Sequence, residues 1–234
     1  MTSVHLRRVR SFVRRPGRIT TSQQRALASL WPRFGIEYAE QRLDLDAAFG
    51  RRAPRVLDIG FGDGEALVTS AAHAPGSDFL GVEVHEPGIG HLLVLLEQAQ
   101  LTNVRVIRRD VVDVIAHMLP PASFDRVNIY FPDPWPKKRH HKRRLIQAPF
   151  LDALWVVMKP GALLHIATDW ADYAEQITEV VSACPRMRVC TETALAERGM
   201  TARPPTKFER RGLRLGHTVR DFYYTAVAAR DIAQ

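Results

Sequence analysis

Cysteine is almost missing from this 234-residue chain: Cys184 and Cys190 are the only two, and their spacing matches no metal-binding pattern. A disulfide framework is therefore excluded, and the reducing cytoplasm is the expected setting. Long apolar runs are missing too. Nothing approaches the roughly 20 consecutive apolar residues that span a bilayer, so no membrane is expected among its partners. The N-terminus has no hydrophobic core of the kind secretory signals carry, although its Arg-rich, acid-free make-up also has the character of a mitochondrial transit peptide. There is no internal repeat and no low-complexity tract.

Acid is absent from residues 1–36. That stretch holds eight arginines (Arg7, Arg8, Arg10, Arg14, Arg15, Arg18, Arg25 and Arg33), and Glu37 is the first carboxylate. The overall net charge of +8 is accounted for entirely by this stretch, since residues 37–234 balance to zero. A second concentration, Lys137-Lys138-Arg139-His140-His141-Lys142-Arg143-Arg144, leaves the remainder of the chain acidic. Positive charge gathered into two segments is the footprint of phosphate binding rather than of general solubility.

What is present in quantity is a hydrophobic alternation. With 46% hydrophobic residues the chain can bury a sizeable core. Strands are predicted at 55–59, 78–84, 104–109, 124–131, 162–167, 187–192 and 222–228. Helices are expected from the glycine turn to before Pro75, at 88–101, 110–118, 149–159 and 170–183, with a short one after Trp31-Pro32. Strands alternating with helices imply an α/β fold with a mostly parallel, doubly wound sheet. Residues 1–35 read as a basic arm and 36–234 as a single domain.

Three carboxylates fall at three consecutive strand ends. Asp58 precedes the turn Gly60-Phe61-Gly62-Asp63-Gly64, Glu83 closes the second strand, and Asp110 follows the third. The glycines suit a tight turn with close backbone approach, but their spacing misses the nicotinamide-dinucleotide fingerprint, whose third glycine comes three residues after the second. An acid beside the turn suits a cationic tail, Glu83 suits ribose hydroxyls and Asp110 an adenine amino group. Together they describe a pocket for S-adenosyl-L-methionine, with no metal required.

The fourth strand ends in Phe131-Pro132-Asp133-Pro134-Trp135-Pro136. Proline fixes φ and restricts its predecessor, so Asp133 is expected on stiff backbone at the end of the sheet where ligands bind. A rigid carboxylate beside a basic run fits a site that handles one base of a nucleic acid; a Pro-stiffened turn before a solvated loop is the plainer alternative. Downstream, Asp169 could N-cap a helix, and Thr206 with Glu209 has the spacing of a capping box. Trp135 is open to core packing or base stacking.

The segments 10–18, Leu57-Asp58-Ile59-Gly60-Phe61-Gly62, Gly81-Val82-Glu83-Val84-His85, Phe131-Pro132-Asp133-Pro134-Trp135, Lys142-Arg143-Arg144, Ala167-Thr168-Asp169-Trp170 and Thr206-Lys207-Phe208-Glu209 resemble, in order, the bacterial tRNA (guanine-N7-)-methyltransferases. The resemblance runs from about residue 10 to 225. It implies a Rossmann-like class I S-adenosylmethionine-dependent methyltransferase fold with a last antiparallel strand. It also implies methyl transfer to N7 of a tRNA guanosine, conventionally position 46 of the variable loop, by a monomer or homodimer. By the same resemblance Asp58, Gly60, Gly62, Glu83, Asp110 and Asp133 face the cofactor, with Asp133 catalytic. Lys137, Asp169, Thr206, Lys207, Phe208 and Glu209 contact the substrate, and Arg139, Lys142, Arg143 and Arg144 meet RNA. At Asp58 many relatives carry Glu, one methylene longer. The alternatives are an amino-group nucleic-acid methyltransferase, whose motif is usually Asp-Pro-Pro-Tyr or Asn-Pro-Pro-Tyr, and a non-catalytic RNA-binding subunit.

Overall fold

The computed structural model describes residues 19–198 and 202–232. The first helix, α1 (Thr21–Phe34), opens on a reciprocal capping box in which Thr20 and Gln23 each bond the other's backbone N–H. Pro32 lies in its last turn and the helix ends two residues later. This corrects the expectation that everything to residue 35 is an arm and that a short helix begins after Pro32. The capping box starts the helix early, and Ala26 and Phe34 are buried. Arg33 ties it to Glu97 at 2.7 Å. Residues 1–18, with six of the eight arm arginines, lie outside the described residues.

The chain continues through β1 (Gly35–Ile36), α2 (Leu45–Phe49), β2 (Arg55–Ile59), α3 (Glu65–His73), β3 (Asp78–Glu83), α4 (Glu86–Gln98), β4 (Val104–Arg108), α5 (Val111–His117) and β5 (Phe124–Tyr130). After a 3₁₀ segment, Lys138–Arg143, come α6 (Ala148–Val157), β6 (Met158–Thr168), α7 (Ala171–Ser182), β7 (Met187–Val189), α8 (Glu192–Glu197), α9 (Lys207–Arg214) and β8 (Arg220–Ala226). The eight strands form one sheet in the order β1-β4-β3-β2-β5-β6-β8-β7, with β8 antiparallel to both its neighbours. The expected alternation and the last antiparallel strand are both present. Two-residue β1 is too short to leave a pattern in sequence. The strand expected at 187–192 stops at Val189 because Thr191 turns away to cap α8.

Both sheet faces are covered, which is why the central strands read as nearly unbroken apolar runs. Leu57, Ile59, Leu80, Val82, Val127 and Ile129 face the core beneath α5, α6 and α7, whereas Val56, Phe79, Val104 and Val106 face α1, α3 and α4. Strand order reverses between β2 and β5, and the crevice beyond the C-terminal ends at such a switch point is where open α/β sheets bind ligands. Among the described residues, no helix is long and apolar enough to cross a membrane.

Candidate active site

A cleft of about 590 Å³ opens at that switch point. Its lining includes Gly60 and Gly62 after β2, Glu83 ending β3, Asp110 after β4, and residues 129–136 after β5, with Phe208 of α9 closing one side. Gly62 has φ 63°, a conformation a side chain would strain, and its N–H donates to Glu83 Oε2 at 3.0 Å. Glu83 Oε1 accepts from the Val84 and His85 N–H groups. A carboxylate offers about four lone-pair sites; three are taken, which fixes the group while leaving room for a hydroxyl donor. Asp110 N-caps α5 through Oδ1 to the Val112 N–H at 3.1 Å.

Asp58 lies beneath the turn, 5% exposed, in a smaller recess shared with Gly60, Gly62, Tyr130, Thr206, Lys207 and Phe208. Among the described residues its side-chain donor is the Asn128 amide, at 3.2 Å. Burial raises its carboxyl to about 6, against opposing contributions from Asn128 and Arg126. Asp133 is exposed on the cleft wall, and the residues bracketing its motif, Phe131 (φ 51°) and Trp135 (φ 46°), are both in the left-handed region. Non-glycine residues held there store strain, a feature that clusters at functional sites.

The remaining predicted residues divide. Thr206 and Glu209 do form the capping box of α9, and Thr206 and Lys207 reach the recess beside Asp58. Both oxygens of Glu209 are engaged by Arg203, at 2.6 and 3.0 Å. Asp169 does not cap α7, whose N-cap is Trp170; it accepts instead from His217 Nδ1 at 2.9 Å. Lys137 is exposed and does not line the cleft. Arg139 and Lys142 are exposed, while Arg143 lays its guanidinium 5.0 Å from the Trp135 ring centre, so that indole face is packed by the basic segment itself. Arg144 corrects the sequence reading. It is 2% exposed and donates to Pro134 O, Gln176 and Asp172, at 2.8, 2.7 and 2.6 Å. It clamps the Pro-rich loop onto α7, and its guanidinium is taken up by these contacts inside the protein.

Residues 52–222 match the model of a family described as "Putative methyltransferase". The tRNA (guanine-N(7)-)-methyltransferase of Alkalilimnicola ehrlichii is 56% identical over 221 residues, covering 93% of this chain and 92% of the relative. That of Halorhodospira halophila is 57% identical over 220 residues, with 93% and 95% covered. The chain belongs to the tRNA (guanine-N(7)-)-methyltransferase family. Among solved structures, the 16S rRNA methyltransferase KamB superposes with a TM-score of 0.54 at 16% identity, over 78% of this chain and 94% of that one. The aminoglycoside resistance methyltransferase NpmB1 gives 0.53 at 17%, over 81% and 95%. Both likenesses are of fold.

The donor set of the cleft fits this family's methyl donor, S-adenosyl-L-methionine. It offers a buried carboxylate for a cationic tail, a fixed carboxylate for hydroxyls and a capping carboxylate with one oxygen to spare. For Asp58 this has a consequence in pH. The folded carboxyl at about 6 lies above its unfolded value, so the ligand-free fold binds this proton more tightly than the unfolded chain. Stability from this group is therefore full below about pH 4, falls as pH rises towards 6, and is absent above. Cation binding needs the charged form, so affinity for S-adenosylmethionine is expected to weaken as pH falls below about 6. Asp58→Asn is expected to raise Tm at pH 7.5 but not at pH 4, and to weaken cofactor affinity roughly 10–100-fold, as for the loss of a charged hydrogen bond. Calorimetry from pH 4 to 8 reads both; a wild-type affinity that stays flat from pH 5 to 8 would refute the assignment.

Sequence reasoning missed a chain of polar groups behind the cleft, buried at Asn128 and His165 and part-exposed towards Asp221. Arg126 Nε donates to Asn128 Oδ1 at 2.7 Å and Arg126 Nη2 to the Tyr130 hydroxyl at 3.1 Å. Fully buried His165 places Nδ1 3.0 Å from that hydroxyl and Nε2 2.7 Å from Asp221 Oδ1. Arg203 bonds Asp221 at 2.7 Å and then Glu209. Side chains thus link Asp58, through Asn128, to the capping box of α9. The available signal was Arg126, Asn128 and His165 inside strands that are otherwise apolar, because a polar residue in a buried strand requires a partner.

Proposed function

We propose that this chain transfers a methyl group from S-adenosyl-L-methionine to N7 of a guanosine in tRNA, and that Asp133 is the residue on which the transfer depends. The reading is supported above all by one cleft at the switch point that gathers Glu83, Asp110 and Asp133 on its wall, with Asp58 beneath. When bound, the donor supplies an electrophilic methyl on a sulfonium. Guanine N7 carries a lone pair and no proton, so the protein needs no general base. Its task is to hold the purine in line and to favour the positive charge that develops on it. Asp133 meets the second need by its charge and can accept from the guanine N1–H and amino edge. Asp169 and Glu209 are less suited to that grip, being paired with His217 and Arg203.

Phe208 and Lys207 would close on the base from α9, and Lys137 would approach from the opposite side. Arg139, Lys142, Arg143 and the arm arginines Arg7 to Arg18 would carry the tRNA backbone, contributing affinity rather than sequence choice. The target is the variable-loop guanosine conventionally numbered 46, and the setting is the cytoplasm, with the chain acting as a monomer or homodimer. Incubation with unmodified tRNA and methyl-labelled donor, followed by nucleoside mass spectrometry, is expected to yield 7-methylguanosine. Label on an exocyclic amino group would replace this reading with the amino-group methyltransferase.

A further inference from the structure

Helix α9 carries more cations for its length than any other described α-helix. Of its eight residues four are Lys207, Arg210, Arg211 and Arg214, against one acid, Glu209. They fall at i, i+3, i+4 and i+7, which in a helix is one stripe, and all four are exposed. The opposite side is pinned to the protein. Glu209 is held by Arg203, and Gly212 lies so close to Asp169 that an added Cβ would come within 2.5 Å of its carboxylate. His217, just beyond the helix, closes the same contact on Asp169.

We propose that the outer face of α9 is a third phosphate-binding surface, which receives the tRNA backbone on the side of the cleft away from the 137–144 segment. The proposal rests on the reading of tRNA as substrate. Three observations carry it. The first is charge: the helix has a net +3, although the chain outside residues 1–36 and 137–144 is acidic overall. Such a stripe is complementary to a polyanion and its cost in self-repulsion needs a reason. The second is rigidity. Glu209 and Gly212 fix the helix from within, so the cations are displayed on a held surface rather than on a mobile tail.

The third is placement. Phe208, next to the stripe, lines the cleft, so an RNA strand crossing this face passes the site where its base must enter. Both basic elements are also moored to the junction of β6 and α7. His217 holds Asp169, and Arg144, at the end of the 137–144 segment, holds Asp172 at 2.6 Å. A backbone path that touches both faces would bracket the cleft. Arg210 pairs with Glu65 of α3, so Arg211 and Arg214 are the better-placed phosphate ligands of the stripe.

The test compares Arg211→Gln/Arg214→Gln with Arg211→Lys/Arg214→Lys, both in the full chain, by measuring tRNA affinity from 50 to 200 mM salt. Removing two phosphate contacts should reduce the slope of log affinity against log salt by about 1.5, since each contact contributes roughly 0.7–0.9. At 100 mM salt the Gln variant should bind tRNA about tenfold more weakly. Its affinity for S-adenosylmethionine should stay within twofold of wild type and its Tm should be unchanged. The Lys variant should keep the wild-type slope. A folded Gln variant with an unchanged slope overturns the proposal, as does a Lys variant that loses as much as the Gln one, because the role would then not be one of charge. Failure of the functional reading is separately visible: wild-type protein would form no 7-methylguanosine, whatever the slopes.

Discussion

Asp133→Asn is expected to lower kcat by about 10²–10³ while leaving the fold and tRNA affinity nearly intact. The loss is of the size seen when one preorganised electrostatic partner is removed from a developing charge. Asparagine keeps the shape and one acceptor oxygen but not the negative charge, so the substitution isolates the electrostatic contribution. The motif's backbone should survive it. Phe131 donates its N–H to Ala167 O at 2.8 Å, and Arg144 holds Pro134 O, so neither anchor involves the Asp133 carboxylate. Raising the pH should not rescue the variant, because no proton leaves N7 in the transfer. Single-turnover rates under saturating tRNA and donor read this directly. A rate within a fewfold of wild type would return the motif to a stiff turn, and pH-dependent recovery would identify Asp133 as a base.

Much of this architecture was legible because strand and helix chemistry repeat along the chain. Apolar strands buried on both faces, a glycine turn, and carboxylates at strand ends are local signals, and they locate the switch-point cleft from sequence. Asp58, Glu83, Asp110 and Asp133 were picked out that way; the structure puts Glu83, Asp110 and Asp133 on the cleft and Asp58 in the smaller recess beneath the glycine turn. The signals that failed were those for which a partner far along the chain decides the role. Arg144 looks like its basic neighbours, yet Asp172 and Gln176 turn it inward. Asp169 looks like a helix cap, yet His217, 48 residues on, takes its carboxylate. Helix α1 was hidden because its sequence is basic and interrupted by Pro32, while its buried face shows only against α4.

Arg203 is the clearest such case, since nothing in Ala202-Arg203-Pro204-Pro205 marks it as structural. Its guanidinium lies about 5.3 Å from the Tyr130 ring centre and 5.2 Å from that of Phe131, with its side chain 5% exposed. Burial opposes its charge, but the bonds to Glu209 and Asp221 outweigh that and hold it protonated. Removing one partner from a buried ion network is expensive because the others remain charged and desolvated, at about 3–5 kcal/mol. Glu209 and Asp221 keep some contact with solvent, at 17% and 31% side-chain exposure, so the lower end applies. Arg203→Met is thus expected to destabilise the protein by about 3 kcal/mol and to lower Tm by roughly 6–12 °C for a domain of this size. Because Arg203 anchors the first turn of α9, hydrogen exchange should quicken across 206–214 before the central strands respond. Arg186→Ala, which breaks an exposed pair with Asp152, supplies the contrast, with an expected change of about 0–1 kcal/mol. If the two variants melt alike, the Arg203 triad contributes no more than a surface pair, and α9 is held in place by Gly212 and His217 against Asp169.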